Sequence, residues 1–193
     1  SGESLDSNSL ENISREADAN QRENSSVPNF PPFYPLIYHN IRFEIPPKRL
    51  FIVRLNFFTA ISIIISLAFS FIGSLFSFLF DSCNELTCFH VGKEIFLSFV
   101  NCIVWTAILF YNQYYPFYTS MRDETSNNSL IIVQLFTIFI LLVFLIGIPG
   151  TGFIGVVYLY ASFESGTVVN RFFGFVLSFW HFINLLLEIV IFL

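Results

Sequence analysis

LIIVQLFTIFILLVFLIGIPGTGFIG, residues 130–155, holds two readings that exclude one another. Its last six residues, GTGFIG, match G-x-G-x-x-G, the pattern that cradles a dinucleotide pyrophosphate. That pattern works only after a buried strand, at the start of a soluble helix, with an acid about 20 residues further on for a ribose hydroxyl. Here the preceding apolar run is far too long for a strand, and Asn170 and Arg171 stand where the acid is required. The run is instead long enough to cross a hydrocarbon layer of about 30 Å as a helix. The uncharged stretch continues to Phe163, longer than one span requires, and Gly147, Pro149, Gly150, Gly152 and Gly155 interrupt it. These residues are expected to break the third spanning helix, with Pro149 unable to continue it and the glycines allowing a tight path.

The rest of the chain has the same character. Of 193 residues, 54% are hydrophobic, 12% are charged and 27 are Phe, an excess no water-soluble core needs. Spans are expected at about 55–80, 95–114, 130–148 and 172–193, so the fold class is an all-α membrane protein with a four-helix transmembrane bundle. Residues 1–27 are polar and acidic and read as a disordered tail. Residues 28–54 carry repeated prolines among Phe and Tyr, which exclude a continuous helix and suit a surface-lying segment. Residues 55–193 then form the membrane domain. Beginning at Ser1 and ending inside an apolar run at Leu193, the sequence reads as a piece of a longer chain.

Several classes are excluded on composition. A formal charge of -5 argues against a nucleic-acid partner. Cys83 and Cys88 share one short polar stretch and are candidates for a disulfide if it faces an oxidising lumen, while Cys102 lies in an apolar segment. Cys83, Cys88 and His90 lack a fourth metal ligand, so no metal or other cofactor is expected. No nucleophile is paired with a base, and enzymatic chemistry is not expected.

Basic residues near the helix ends set the expected orientation. Arg42, Lys48, Arg49 and Arg54 precede the first span, whereas the 81–94 loop offers Lys93 against Asp81, Glu85 and Glu94. Both termini and the 112–129 loop should therefore be cytosolic. Lys48, Arg49 and Arg54, with Tyr114, Tyr115, Pro116, Phe117, Tyr118 and Arg122, are the candidate membrane-interface residues, the aromatics suiting the headgroup boundary. Within the first span Thr59, Ser62, Ser66, Ser70 and Ser74 share one face, a stripe that favours close helix packing over a polar pore lining. In the fourth, Ser178, His181, Asn184 and Glu188 also share a face. A buried Glu188 must be protonated, paired or in water. A structural hydrogen-bond stripe is the favoured reading of this face, and a proton or ion relay is its rival.

Four stretches in order resemble the secretory carrier membrane protein family. PNFPPFYPLIYHNIRFEIP at 28–46 is similar to the segment that introduces that family's first helix, and YYPFYTSMR at 114–122 to its short cytosolic peptide between the second and third helices. IGIPGTG at 146–152 is similar to its Gly-Ile-Pro turn, and LLLEIVIFL places Glu188 where the family carries an acid. Tyr115 and Thr119 stand where the family peptide has basic residues, Asp123 and Glu124 follow, and the tail lacks the Asn-Pro-Phe repeats of animal members. The resemblance implies a non-enzymatic protein of trafficking vesicles in Golgi, endosomal or plasma membranes, acting in post-Golgi docking or fusion. Its implied partners are the bilayer, anionic lipid and homo- or hetero-oligomeric neighbours. The alternative is a small oligomeric transporter or channel subunit using Glu188 and His181.

The orientation has built-in reporters. Asn12, Asn24 and Asn127 all satisfy N-x-[ST] and all lie on the side expected to be cytosolic. The native protein should show no endoglycosidase-sensitive mass, whereas an acceptor inserted with spacers into the 81–94 loop should gain a glycan; glycan on Asn12 or Asn24 would invert the topology.

Overall fold

In hydrocarbon a backbone can satisfy its own N–H and C=O groups only by bonding along a helix, so each uncharged run becomes one. The computed structural model describes residues 39–80, 85–125, 128–148 and 150–193, apart from the side chains of residues 43, 85–91 and 165. The tail at 1–27, the first part of the Pro/aromatic segment, the Cys83–Cys88 pair, Asn127 and Pro149 lie outside that description. The chain divides into two units, Ser1–Glu44 and Ile45–Leu193. In the first, α1 (Ile41–Glu44) is a single turn closed by the Glu44 N–H to Asn40 O bond at 3.0 Å and by the Asn40 N–H to the Glu44 carboxylate at 3.2 Å.

The second unit is all-α, with no strand among the described residues. It runs α2 (Leu50–Phe80), α3 (Glu85–Ile108), a π-helical turn (Leu109–Tyr114), α4 (Tyr115–Arg122), α5 (Asn128–Ile146), α6 (Val156–Ser165) and α7 (Val168–Phe192). Four stretches are long and apolar enough to cross a membrane: Leu50–Phe80, Gly92–Arg122, Asn128–Ile146 and Val168–Phe192. α2 and α7 form the centre of the bundle. α3 packs on α2, α5 on α7, and α6 on α7. Ile63, Leu67, Leu109, Leu141, Phe144 and Leu185 make the main apolar core, and Ile154, Phe173 and Leu177 a second one.

Two elements differ from the expectations. The second spanning helix does not stop at the tyrosines but continues to Arg122. Pro116 has no N–H for the carbonyl a turn earlier, and the π turn just before it absorbs the mismatch, with the Tyr115 N–H bonded to Phe110 O. The expected 112–129 loop thus contracts to the few residues after Arg122. The second difference is α6, a ten-residue helix between the break and the last span. Gly166 ends it, and Thr167 caps α7 by accepting the Asn170 N–H at 3.3 Å.

Between α5 and α6 three glycines hold positive φ. Gly147 has φ +62°, and a Cβ there would lie 2.1 Å from Gly155 N. Gly152 has φ +80° and presses on the second spanning helix, where a Cβ would meet Ser98 N at 2.5 Å. Because irregular backbone inside a membrane must be served by the protein, α3 reads this turn with three side chains on one face. Glu94 accepts the Gly150 N–H at 2.8 Å, Ser98 donates to Gly152 O at 2.6 Å and Asn101 donates to Thr151 O at 2.8 Å. From α2, Ser70 accepts the Ile154 N–H at 3.4 Å.

Gly152→Ala should therefore destabilise by about 1–3 kcal/mol through left-handed strain plus collision with α3. Gly150 shares the positive φ of +82° but faces open space, so Gly150→Ala should cost only about 1 kcal/mol. Thermal unfolding in detergent compares the two, and equal losses would mean that the turn does not bear on the helix.

Candidate functional site

At the end of the bundle that carries Arg49 and Arg122, three helices bring polar side chains together in an apolar interior. Asn56 of α2, Gln113 of the π turn and Glu188 of α7 are all buried. Gln113 Nε2 donates to Asn56 Oδ1 at 2.8 Å and to Glu188 Oε1 at 3.0 Å, so one carboxamide ties α2 to α7. The π turn places Gln113 there, because an extra residue per turn rotates the positions that follow. One turn further in, Trp180 donates to Ser62 at 2.9 Å and Ser62 donates to Asn184 Oδ1 at 2.7 Å. Among the described residues, Glu188 Oε2, Gln113 Oε1, Asn56 Nδ2, Asn184 Nδ2 and both ring nitrogens of His181 have no hydrogen-bond partner.

This arrangement can hold a proton or a small polar molecule. The unpartnered set mixes acceptors with donors, whereas a bound metal ion needs donors of electron pairs alone. The described residues contain no group of three metal-ligating side chains. Arg122 pairs with Asp123 at 2.8 Å, and Glu188, whose partner is Gln113, is paired with no cation among the described residues. Outside the membrane-spanning segments, the Arg122 hydrogen bond holds the Asp123 carboxyl below its usual range. Burial lowers the His39 imidazole, and the nearby Glu44 carboxylate opposes it.

Ser178, His181, Asn184 and Glu188 are all buried on one face of α7. They do not form one chain of bonds. Ser178 donates to Gly174 O of its own helix at 2.6 Å, His181 packs 5.9 Å from the Phe144 ring, and Asn184 and Glu188 have the separate partners given above. The α2 stripe faces inward too, with Thr59, Ser66, Ser70 and Ser74 buried and Ser74 2.9 Å from Ser98. Asn56 and Gln113 were not legible as site residues. Gln113 sits among tyrosines that resembled a headgroup boundary, and only the π turn turns it inward.

The interface residues divide. Lys48 and Arg54 are exposed, and Arg49 donates to Met121 O at 3.4 Å, which fastens the start of α2 to α4. Tyr115, Pro116 and Arg122 are half-buried. Tyr114, Phe117 and Tyr118, expected at the headgroups, are buried in the protein instead. Helical continuation past Pro116 turns them inward: the Tyr114 ring lies 5.3 Å from Phe57 and 6.1 Å from Tyr118.

Four apolar spanning helices around a buried polar seam define a polytopic integral membrane protein. The sequence model of the SCAMP family matches residues 27–193, most of the chain, and the protein belongs to that family. Membership makes it a membrane protein of vesicle trafficking. No curated protein and no solved structure gives a significant match to it.

Gln113→Leu removes the donor shared by Asn56 and Glu188 and should destabilise by about 1–3 kcal/mol, because it strands buried polar atoms. Glu188→Gln retains an oxygen that can accept from Gln113 and should cost less than about 1 kcal/mol. Unfolding curves in mixed micelles distinguish the two, and a larger loss for Glu188→Gln would show that the carboxyl itself holds the bundle.

Proposed function

We propose that this SCAMP-family protein acts without enzymatic chemistry at a docking or fusion step of post-Golgi and endosomal membrane traffic, with both termini in the cytosol. The observation that supports this reading is the collar at one end of the bundle. Lys48, Arg49 and Arg54 open α2, and α4 extends the second span to Arg122, with Arg49 joined to Met121 O. A collar of this kind is held rigidly against the leaflet, because its aromatic side chains are spent on protein packing rather than on loose insertion. Its exposed cations attract anionic lipid, each contributing about 1 kcal/mol near the surface. The polar cluster below it then serves as the fastening that keeps α2, the π turn and α7 in register.

Reversing two exposed charges, Lys48→Glu with Arg54→Glu, should leave expression and vesicle residence of the tagged full-length protein intact. Secretory release should slow severalfold, since about 2 kcal/mol or more of surface attraction is lost. Unchanged release removes the collar from the mechanism. A proton or cation flux in liposomes that Glu188→Gln abolishes would replace this reading with that of a transporter.

A further inference from the structure

A groove of about 310 Å³ opens between the second and third spanning helices. It lies where α5 keeps closer to the π turn and to α7 than to α3, and it closes at its far end where Trp105 of α3 meets the Phe144 ring of α5 edge-on at 5.5 Å. Its length runs from Asn112 to Trp105 on one wall, about 10 Å, and from Ile132 to Ile140 on the other, about 12 Å.

The groove is polarised along that length. Asn112 and Gln113 sit at the end nearest Arg122 and the start of α5, where the chain leaves the membrane. Asn112 presents an exposed carboxamide at the mouth, and Gln113 forms the back wall with its Oε1 unpartnered among the described residues. The deep end is Trp105, Ile108, Phe136 and Ile140. Thr137 also lines the groove, but its hydroxyl is spent on Val133 O at 2.9 Å.

We propose that this groove binds a sterol, its hydroxyl on the Asn112 carboxamide and its ring system against the Trp105 and Phe136 walls. At this depth the occupant of an apolar groove comes from the bilayer, and its polar end must point the same way as the polar end of the groove. Among the described residues no Lys or Arg lines the site, which favours a neutral headgroup over a phosphate. One continuous groove takes one hydrophobic body, whereas a two-chain lipid leaves a tail outside. Aromatic and β-branched walls are stiff, and a rigid ligand loses little conformational entropy against them. Gln113 gives the site a consequence, since the same side chain backs the groove and ties Asn56 to Glu188.

Photoreactive sterol labelling of the purified full chain in sterol-free phospholipid vesicles tests this. Label should map to peptides of α3, the π turn or α5, and unlabelled sterol should compete it away. Val133→Trp, which fills the groove without touching the polar cluster, should abolish labelling while thermal stability is retained. Asn112→Leu should weaken it about tenfold, the equivalent of one hydrogen bond to a buried ligand. A 3-deoxy sterol, which can neither donate to nor accept from the Asn112 carboxamide, should compete about tenfold less well on wild type. Labelling indifferent to Val133→Trp overturns the site. Equal competition by the 3-deoxy analogue, or equal labelling by a photoreactive diacylglycerol, overturns the assignment of its ligand.

Discussion

A break in a membrane helix leaves N–H and C=O groups without partners in a medium that supplies none. That constraint organises the end of the bundle where the third spanning helix stops. Glu94, Ser98 and Asn101 exist on one face of α3 to serve the backbone at Gly150, Thr151 and Gly152, and Ser70 of α2 serves Ile154. Because these contacts are short, the turn must lie directly on the second spanning helix, which only glycine permits at residue 152. α6 follows from the same geometry: once the chain is anchored there it resumes as a helix against α7, and Tyr158 also reaches Ser77 of α2 at 2.8 Å.

The opposite end of the bundle obeys the constraint through side chains. Lipid offers apolar helices no hydrophobic reason to prefer one another, so hydrogen bonds and close packing select the partners. Gln113 selects Asn56 and Glu188, Ser62 selects Trp180 and Asn184, and Ser74 selects Ser98. The buried polar residues thereby act as addresses for the helices. A single π turn serves two ends: it accommodates Pro116 in a continuous helix, and it swings Gln113 into the bundle. The groove beside it is the counterpart of that choice, since α5 keeps closer to the π turn and α7 than to α3.

For a protein of vesicle trafficking this architecture is economical. α4 carries the membrane domain out to Arg122 without a flexible joint, and Arg49 reaches across to Met121 O. A tyrosine-rich stretch that reads as a lipid-facing loop is thus a packed helix, and what it shows to the surface is set by the bundle beneath it. Lipid in the groove and lipid at the collar would act on the same short stretch of the second spanning helix.

How much could be read in advance follows from which interactions are local. The medium, the helical class and the four spans were legible because run length and charge depletion depend on neighbouring residues alone, and the positive φ of Gly147, Gly150 and Gly152 is a conformation that glycine adopts on its own backbone. The family was legible from motifs in order along the chain. The α7 face of Ser178, His181, Asn184 and Glu188 was visible as periodicity, yet periodicity says only that residues share a side. Which residues they meet depends on the rotation of each helix about its axis. The π turn resets that rotation for everything between Leu109 and Arg122, so the inward Gln113, the buried Tyr114, Phe117 and Tyr118, and the groove beside them were decided by the tertiary structure alone.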